Sequence, residues 1–120
     1  MDNNVQFDAQ DIEKSKGLVW LSYLGIFFLI PMLANKDSAY TRFHVNQGLV
    51  LFLSELVLSI ALNVLAVILT MAVPVLGIVI SLLSGLIYLA LFIFAIMGII
   101  NSVQGKAKQL PIIGKIQILK

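Results

Sequence analysis

LVLFLSELVLSIALNVLAVILTMAVPVLGIVISLLSGLIYLALFIFAIMGII, Leu49 to Ile100, is a run of 52 residues with a single formal charge, Glu55. A helix needs about 20 apolar residues to cross a bilayer, so this run is long enough to cross twice. Pro74 and Gly77 interrupt it where a turn between two helices would fall. A third apolar stretch, Gly17 to Ala34, lies upstream. The pattern predicts an all-α polytopic membrane protein: three transmembrane helices at about 17–34, 49–72 and 77–102 in a small bundle. An interfacial loop would link the first two, and a C-terminal tail over 106–120 would lie at the interface or pack on the 36–48 loop.

Composition agrees with lipid as the solvent. Of 120 residues, 60% are hydrophobic and 12% charged, and the mean hydropathy is +1.02. Soluble domains run near 45–50% apolar and about 25% charged. What remains outside the spans is too short for a separate soluble core, so one membrane domain over 17–120 is expected behind a polar N-terminal tail, 1–16. That tail carries Asp2, Asp8, Asp11 and Glu13, unlike the basic n-region of a secretory signal, which favours an uncleaved first segment. The net charge of +2 does not imply nucleic acid. Lys36, Arg42, Lys106, Lys108, Lys115 and Lys120 flank apolar segments, where basic side chains meet lipid head groups. There are no cysteines, which removes disulfides and thiolate chemistry.

Three spans would leave the N-terminus and the Pro74 turn on one side, and the 35–48 loop and C-tail on the other. The first side holds two basic residues (Lys14, Lys16) and the second the six named above. The positive-inside rule then expects an outer N-terminus and a cytoplasmic C-terminus in a bacterial cell membrane.

Polar residues inside the apolar run are where chemistry would be sought. Glu55, Ser59 and Asn63 recur at i, i+4 and i+8 and form one stripe on the second helix. The stripe reads either as interhelical glue or as the lining of an ion or substrate path. Serines at 22, 54, 59, 81 and 84 have no plausible base at helical spacing, and His44 is the one imidazole. A lone histidine does not make a zinc site, which needs three or four ligands. No catalytic, metal or cofactor residues are assigned, and no enzymatic activity is expected. On the third helix Gly77, Ser81 and Gly85, then Gly98 and Ser102, offer small-residue spacing for close helix approach, inside the hairpin or between copies.

The most distinctive stretch is SYLGIFFLIPMLANKDSAYTRFHVNQGLVLFL (Ser22–Leu53), followed by GIINSVQGKAKQLPIIGKIQIL (Gly98–Leu119). Over about residues 11–120 it resembles a family of small bacterial membrane proteins of unknown function. That family includes magnetosome membrane proteins and is related to the chloroplast inner-envelope component of the protein-import translocon. RFHVNQG (Arg42–Gly48) and LPIIGKI (Leu110–Ile116) carry the likeness, with Arg42, Phe43, His44, Asn46, Gln47 and Gly48 as signature residues; Val45 stands where the family usually has a small residue. The resemblance implies a three-helix bundle without catalysis. The expected role is assembly, scaffolding or regulation through helix–helix contacts. The partners would be the lipid bilayer and either a second copy or another membrane protein. A pore or protein-translocation component is the alternative.

Overall fold

A computed structural model describes residues 4–5, 7–113 and 116–118. In chain order the elements are β1 (Asn4–Val5), α1 (Ala9–Val19), two 3-10 turns (Trp20–Tyr23 and Gly25–Phe28), α2 (Leu29–Ala34), α3 (Ala39–Ala72), α4 (Pro74–Val103) and β2 (Ala107–Lys108). The molecule is elongated, 57 × 30 × 21 Å, because α3 alone is about 51 Å long at 1.5 Å per residue.

The apolar hairpin forms as expected and is tighter than expected. Val73 is the one non-helical residue between α3 and α4, and Pro74 opens α4 at a first-turn position, where its missing N–H is not needed. The backbone closes with Val73 N–H donating to Leu69 O (2.8 Å) and Leu76 N–H to Val73 O (2.9 Å). At the other end α4 stops on Gly105, whose φ of +75° is costly for a side-chain-bearing residue. Lys106 N–H reaches back to Asn101 O (2.8 Å) and Gly105 N–H to Ser102 O (3.3 Å), a Schellman stop.

Two segments depart from the sequence reading. Gly17–Ala34 is not one helix. α1 runs on from the polar tail to Val19, and the chain then turns sharply at Leu24–Gly25, with Gly25 at φ +57°. The expected tail thus contributes a regular helix, N-capped by Asp8, whose carboxylate accepts from Gln10 N–H (3.3 Å). Hydropathy registers the apolar content of 17–34 but not the left-handed glycine that folds it back. The second departure is 39–48, expected as an interfacial turn running into a helix. It is the first three turns of α3 itself, capped by Ser38 Oγ, which accepts from Thr41 N–H (3.0 Å).

The two halves of the long hairpin differ in surroundings. Val19, Tyr40 and Ala107 form one small core with Phe7, Ile12 and Phe43 against it; Tyr23, Val50, Leu51, Leu91, Leu110 and Ile113 form another. Beyond them α3 and α4 touch mainly each other. In their most apolar windows only 6% and 11% is buried. A core helix of a soluble protein with the same hydropathy would be mostly covered. Leaving Leu82, Leu86, Leu89 and Phe92 all more than half exposed costs about 25 cal/mol per Å² of apolar surface in water. Lipid removes that cost.

Candidate functional site

The covered end is built around side chains of the first three turns of α3. Gln47 is 1% exposed and uses every hydrogen-bonding atom of its amide. Its Nε2 donates to the Tyr23 hydroxyl (2.9 Å) and to Lys108 O (3.3 Å), while Oε1 accepts from Leu110 N–H (2.6 Å). Asn46 grips the chain further on: Nδ2 donates to Ile116 O (2.8 Å) and Oδ1 accepts from Ile118 N–H (2.7 Å). A carboxamide presents a C=O and an N–H as a peptide unit does, so Asn46 holds residues 116 and 118 much as a neighbouring strand would.

His44 completes the network, and its tautomer follows from its partners. Lys106 O, at 3.0 Å from Nε2, can only accept, so Nε2 carries the proton. Nδ1 is then an acceptor, and the Tyr23 hydroxyl donates to it at 2.5 Å. A directional chain results: Gln47 amide to Tyr23 oxygen, Tyr23 proton to His44, His44 proton to the tail backbone. Both ring nitrogens are engaged, so His44 is available neither as a general base nor as a metal ligand. Among the described residues no group of three or more His, Asp or Glu could hold a metal ion.

Glycines allow the close approach this network requires. A Cβ on Gly48 would overlap the Ser22 backbone carbonyl, and one on Gly98 would overlap the Tyr23 ring. The 20–23 turn is thereby pressed into the crotch between α3 and α4. Tyr40 braces the far side, its hydroxyl donating to Ser102 O (2.8 Å). Its ring meets His44 edge-on at 4.8 Å between centroids.

α1 is fastened to the same end. The Asp11 carboxylate accepts from Ser38 Oγ (2.5 Å), Tyr40 N–H (3.0 Å) and Ser15 Oγ (3.2 Å), a second cap on the α3 N-terminus supplied from another helix. Partial burial opposes ionisation of Asp11. The hydrogen bonds from Ser38, Tyr40 and Ser15, with the Lys14 charge nearby, outweigh it and hold the carboxyl below its usual range. β1 pairs antiparallel with β2, Asn4 opposite Lys108 and Val5 opposite Ala107. The N-terminal segment and the C-tail, expected on opposite sides, therefore lie side by side.

Of the signature residues, Phe43, His44, Asn46, Gln47 and Gly48 come together in this core, while Arg42 is exposed. The polar stripe divides differently. Asn63 bonds back to its own helix, at Ser59 O (2.7 Å), and among the described residues bridges to no other helix. Glu55 and Ser59 line a cavity of about 600 Å³ between α3, α4 and the Leu24–Gly25 turn, faced by Tyr88. Among the described residues the Glu55 carboxylate has no hydrogen bond or ion pair. On α4, Gly77 lies against Thr70 within the hairpin, whereas Gly85 faces open space. Tyr23 is 3% exposed and central. The glycine at 98 was the available signal, since it leaves room for a ring.

A polar-cored end on a two-helix apolar hairpin can be compared with known proteins. The profile of the MamF/MmsF family, the magnetosome magnetite crystal formation protein family, matches residues 15–118. The chain belongs to this family. The MamF/MmsF match takes in both the polar core and the hairpin. Magnetosome protein MmsF of Paramagnetospirillum magneticum is 30% identical over 93 residues, 78% of this chain and 76% of that protein. Magnetosome protein MamF of the same organism is 44% identical over 43 residues, 36% of this chain and 39% of its own. MamF of Magnetospirillum gryphiswaldense is 43% identical over 42 residues, 35% and 38% of the two. The matched segments thus span about two-fifths of the length of these MamF relatives. No solved structure matches the chain. The magnetosome side of the expected resemblance stands, and none of these matches supports the relation to the chloroplast import component.

Proposed function

We propose that this MamF/MmsF protein is a non-enzymatic assembly protein of a bacterial membrane, a hairpin in lipid carrying a rigid platform at one face. The observation that carries this reading is the use made of the signature. His44, Asn46 and Gln47 all hold the C-tail, so the most distinctive residues build a surface and leave no free reactive group. The names of the relatives, magnetosome proteins of a crystal formation family, agree with an assembly role.

The same contacts support an even number of crossings. Paired β1 and β2, and Asp11 bonded at the start of α3, favour an arrangement with N-tail, 35–48 segment and C-tail on one side. Gly17–Ala34 then dips into that leaflet and returns at Gly25 without crossing. Non-helical backbone at this depth is tolerated where protein covers it, as at Ser22 and Tyr23. All eight Lys and Arg lie at or beyond the platform end of the hairpin and none at its turn, which supports a cytoplasmic platform under the positive-inside rule. The chain lacks cysteine, so single-cysteine labelling reads topology cleanly. Gln10→Cys and Gln104→Cys should react from the same face, and Val75→Cys from the other.

The function itself is tested by crosslinking in intact membranes and identifying what is attached. A self-associated form or a recurrent membrane partner is expected, and a strictly monomeric, partner-free protein in native-like lipid overturns the reading. The transport alternative has one supporting observation, the cavity at Glu55. A pair of crossing helices encloses no through-path, so Glu55→Leu should leave liposome conductance unchanged.

A further inference from the structure

The Glu55 cavity is not used by the platform. It holds about 600 Å³, within the range of sites that take a small amphiphile or part of a lipid. Leu91, Ala95 and the Leu24–Gly25 turn make an apolar wall; Glu55, Ser59 and Tyr88 supply the polar atoms. Because α3 and α4 are the only long helices among the described residues, a cavity between them and the turn opens to the surrounding bilayer. Its depth can be placed. A hydrocarbon core about 30 Å thick takes about 20 helical residues, and counting back from Ala72 at the turn reaches Leu53. Glu55 therefore sits less than one turn inside the boundary on the platform side. Its Cα–Cβ bond tilts toward the N-terminus of α3, and so toward the head groups.

A carboxylate with no protein partner among the described residues, at head-group depth above an apolar groove, calls for a donor from outside. An anionic head would be repelled. A quaternary ammonium brings charge without N–H donors. A primary ammonium brings three donors and charge, giving a charge-assisted hydrogen bond. We propose that this cavity is a lateral site for a lipid with a primary-ammonium head, of the phosphatidylethanolamine type, with Glu55 receiving the ammonium and the groove an acyl chain. The site rests on the hairpin lying in lipid and not on what the platform binds, so the two readings fail separately.

The test uses the full chain reconstituted in vesicles of equal phosphatidylethanolamine, phosphatidylcholine and phosphatidylglycerol, extracted gently, with retained lipid identified by native mass spectrometry. The wild type should retain phosphatidylethanolamine over phosphatidylcholine by about tenfold, the scale of one charge-assisted hydrogen bond. Glu55→Gln should remove that preference while leaving chain retention, and Ala95→Phe, which fills the groove, should lower retention of both lipids. Protease resistance of the C-tail reports that each variant is folded; should one variant fail this check, the other carries the result. Equal retention of the two zwitterionic lipids by the wild type overturns the site. So does a preference that survives Glu55→Gln, or a preference for phosphatidylglycerol.

Discussion

The two ends of the α3–α4 hairpin obey opposite rules. At the platform end, polar side chains are buried and hydrogen-bonded: His44 at 0% exposure, Gln47 at 1%. At the turn end, apolar side chains are exposed and need no protein partner, Met71 at 81%. The platform is a small water-side fold whose core is hydrogen-bonded, so its stability resides in specific geometry. The hairpin is a lipid-side element whose stability resides in composition. A substitution should therefore be costly at one end and nearly silent at the other, whatever its size.

The largest effect is expected at Gly48. Gly48→Val puts a branched side chain where the Ser22 backbone lies, and backbone yields far less readily than a side-chain tip. A loss of about 3 kcal/mol or more should show as early protease cleavage of the C-tail, with the hairpin still inserted. Next comes Gln47→Leu, of similar volume, which strands the Leu110 N–H and removes a donor from Tyr23 and Lys108. Leaving a buried group unpaired costs about 1–3 kcal/mol, and hydrogen exchange at Leu110 should accelerate before that of α4.

Asp11 should matter less and depend on pH. Its folded pKa lies below the ordinary value of 3.8, so the stabilisation is present above the unfolded value. It is lost as pH falls through the lower folded value. Asp11→Asn should cost less than about 1 kcal/mol at neutral pH, its group being largely solvated. Melting temperatures of variant and wild type should converge as pH falls through that lowered value. The smallest effect is expected on the hairpin, where Leu82→Ala, at a residue 68% exposed, should change stability in lipid by within about 0.5 kcal/mol. A large destabilisation there would mean that the hairpin face is covered by protein and would erase the contrast.

The sequence disclosed these two ends unequally. The hairpin was legible because absence of charge and one proline are composition-level signals, and lipid asks for little more. The platform was legible only as a signature. AYTRFHVNQG looks like a loop because it mixes aromatic, basic and amide residues, yet His44, Asn46 and Gln47 bond inward, and nothing in the spacing names Lys106 O or Ile118 N–H as partners. Gly17–Ala34 misled for the converse reason: its length and hydropathy suit a crossing, and the reversal depends on one backbone angle at Gly25. The stripe Glu55–Ser59–Asn63 was visible as a spacing. That Asn63 would satisfy itself on Ser59, while Glu55 faces a cavity with Tyr88, depended on where α4 packs.

Val73 and Pro74 have a mechanical corollary. From Leu56 to Gly105 there is no charged residue, so the turn offers the distant leaflet neither an ion nor a ring with which to grip it. In the proposed two-crossing arrangement all the anchorage is at one surface, like a tack held by its head. As the bilayer thickens or thins, the point can ride deeper or shallower without dragging charge through oil, and the platform keeps its level against the water.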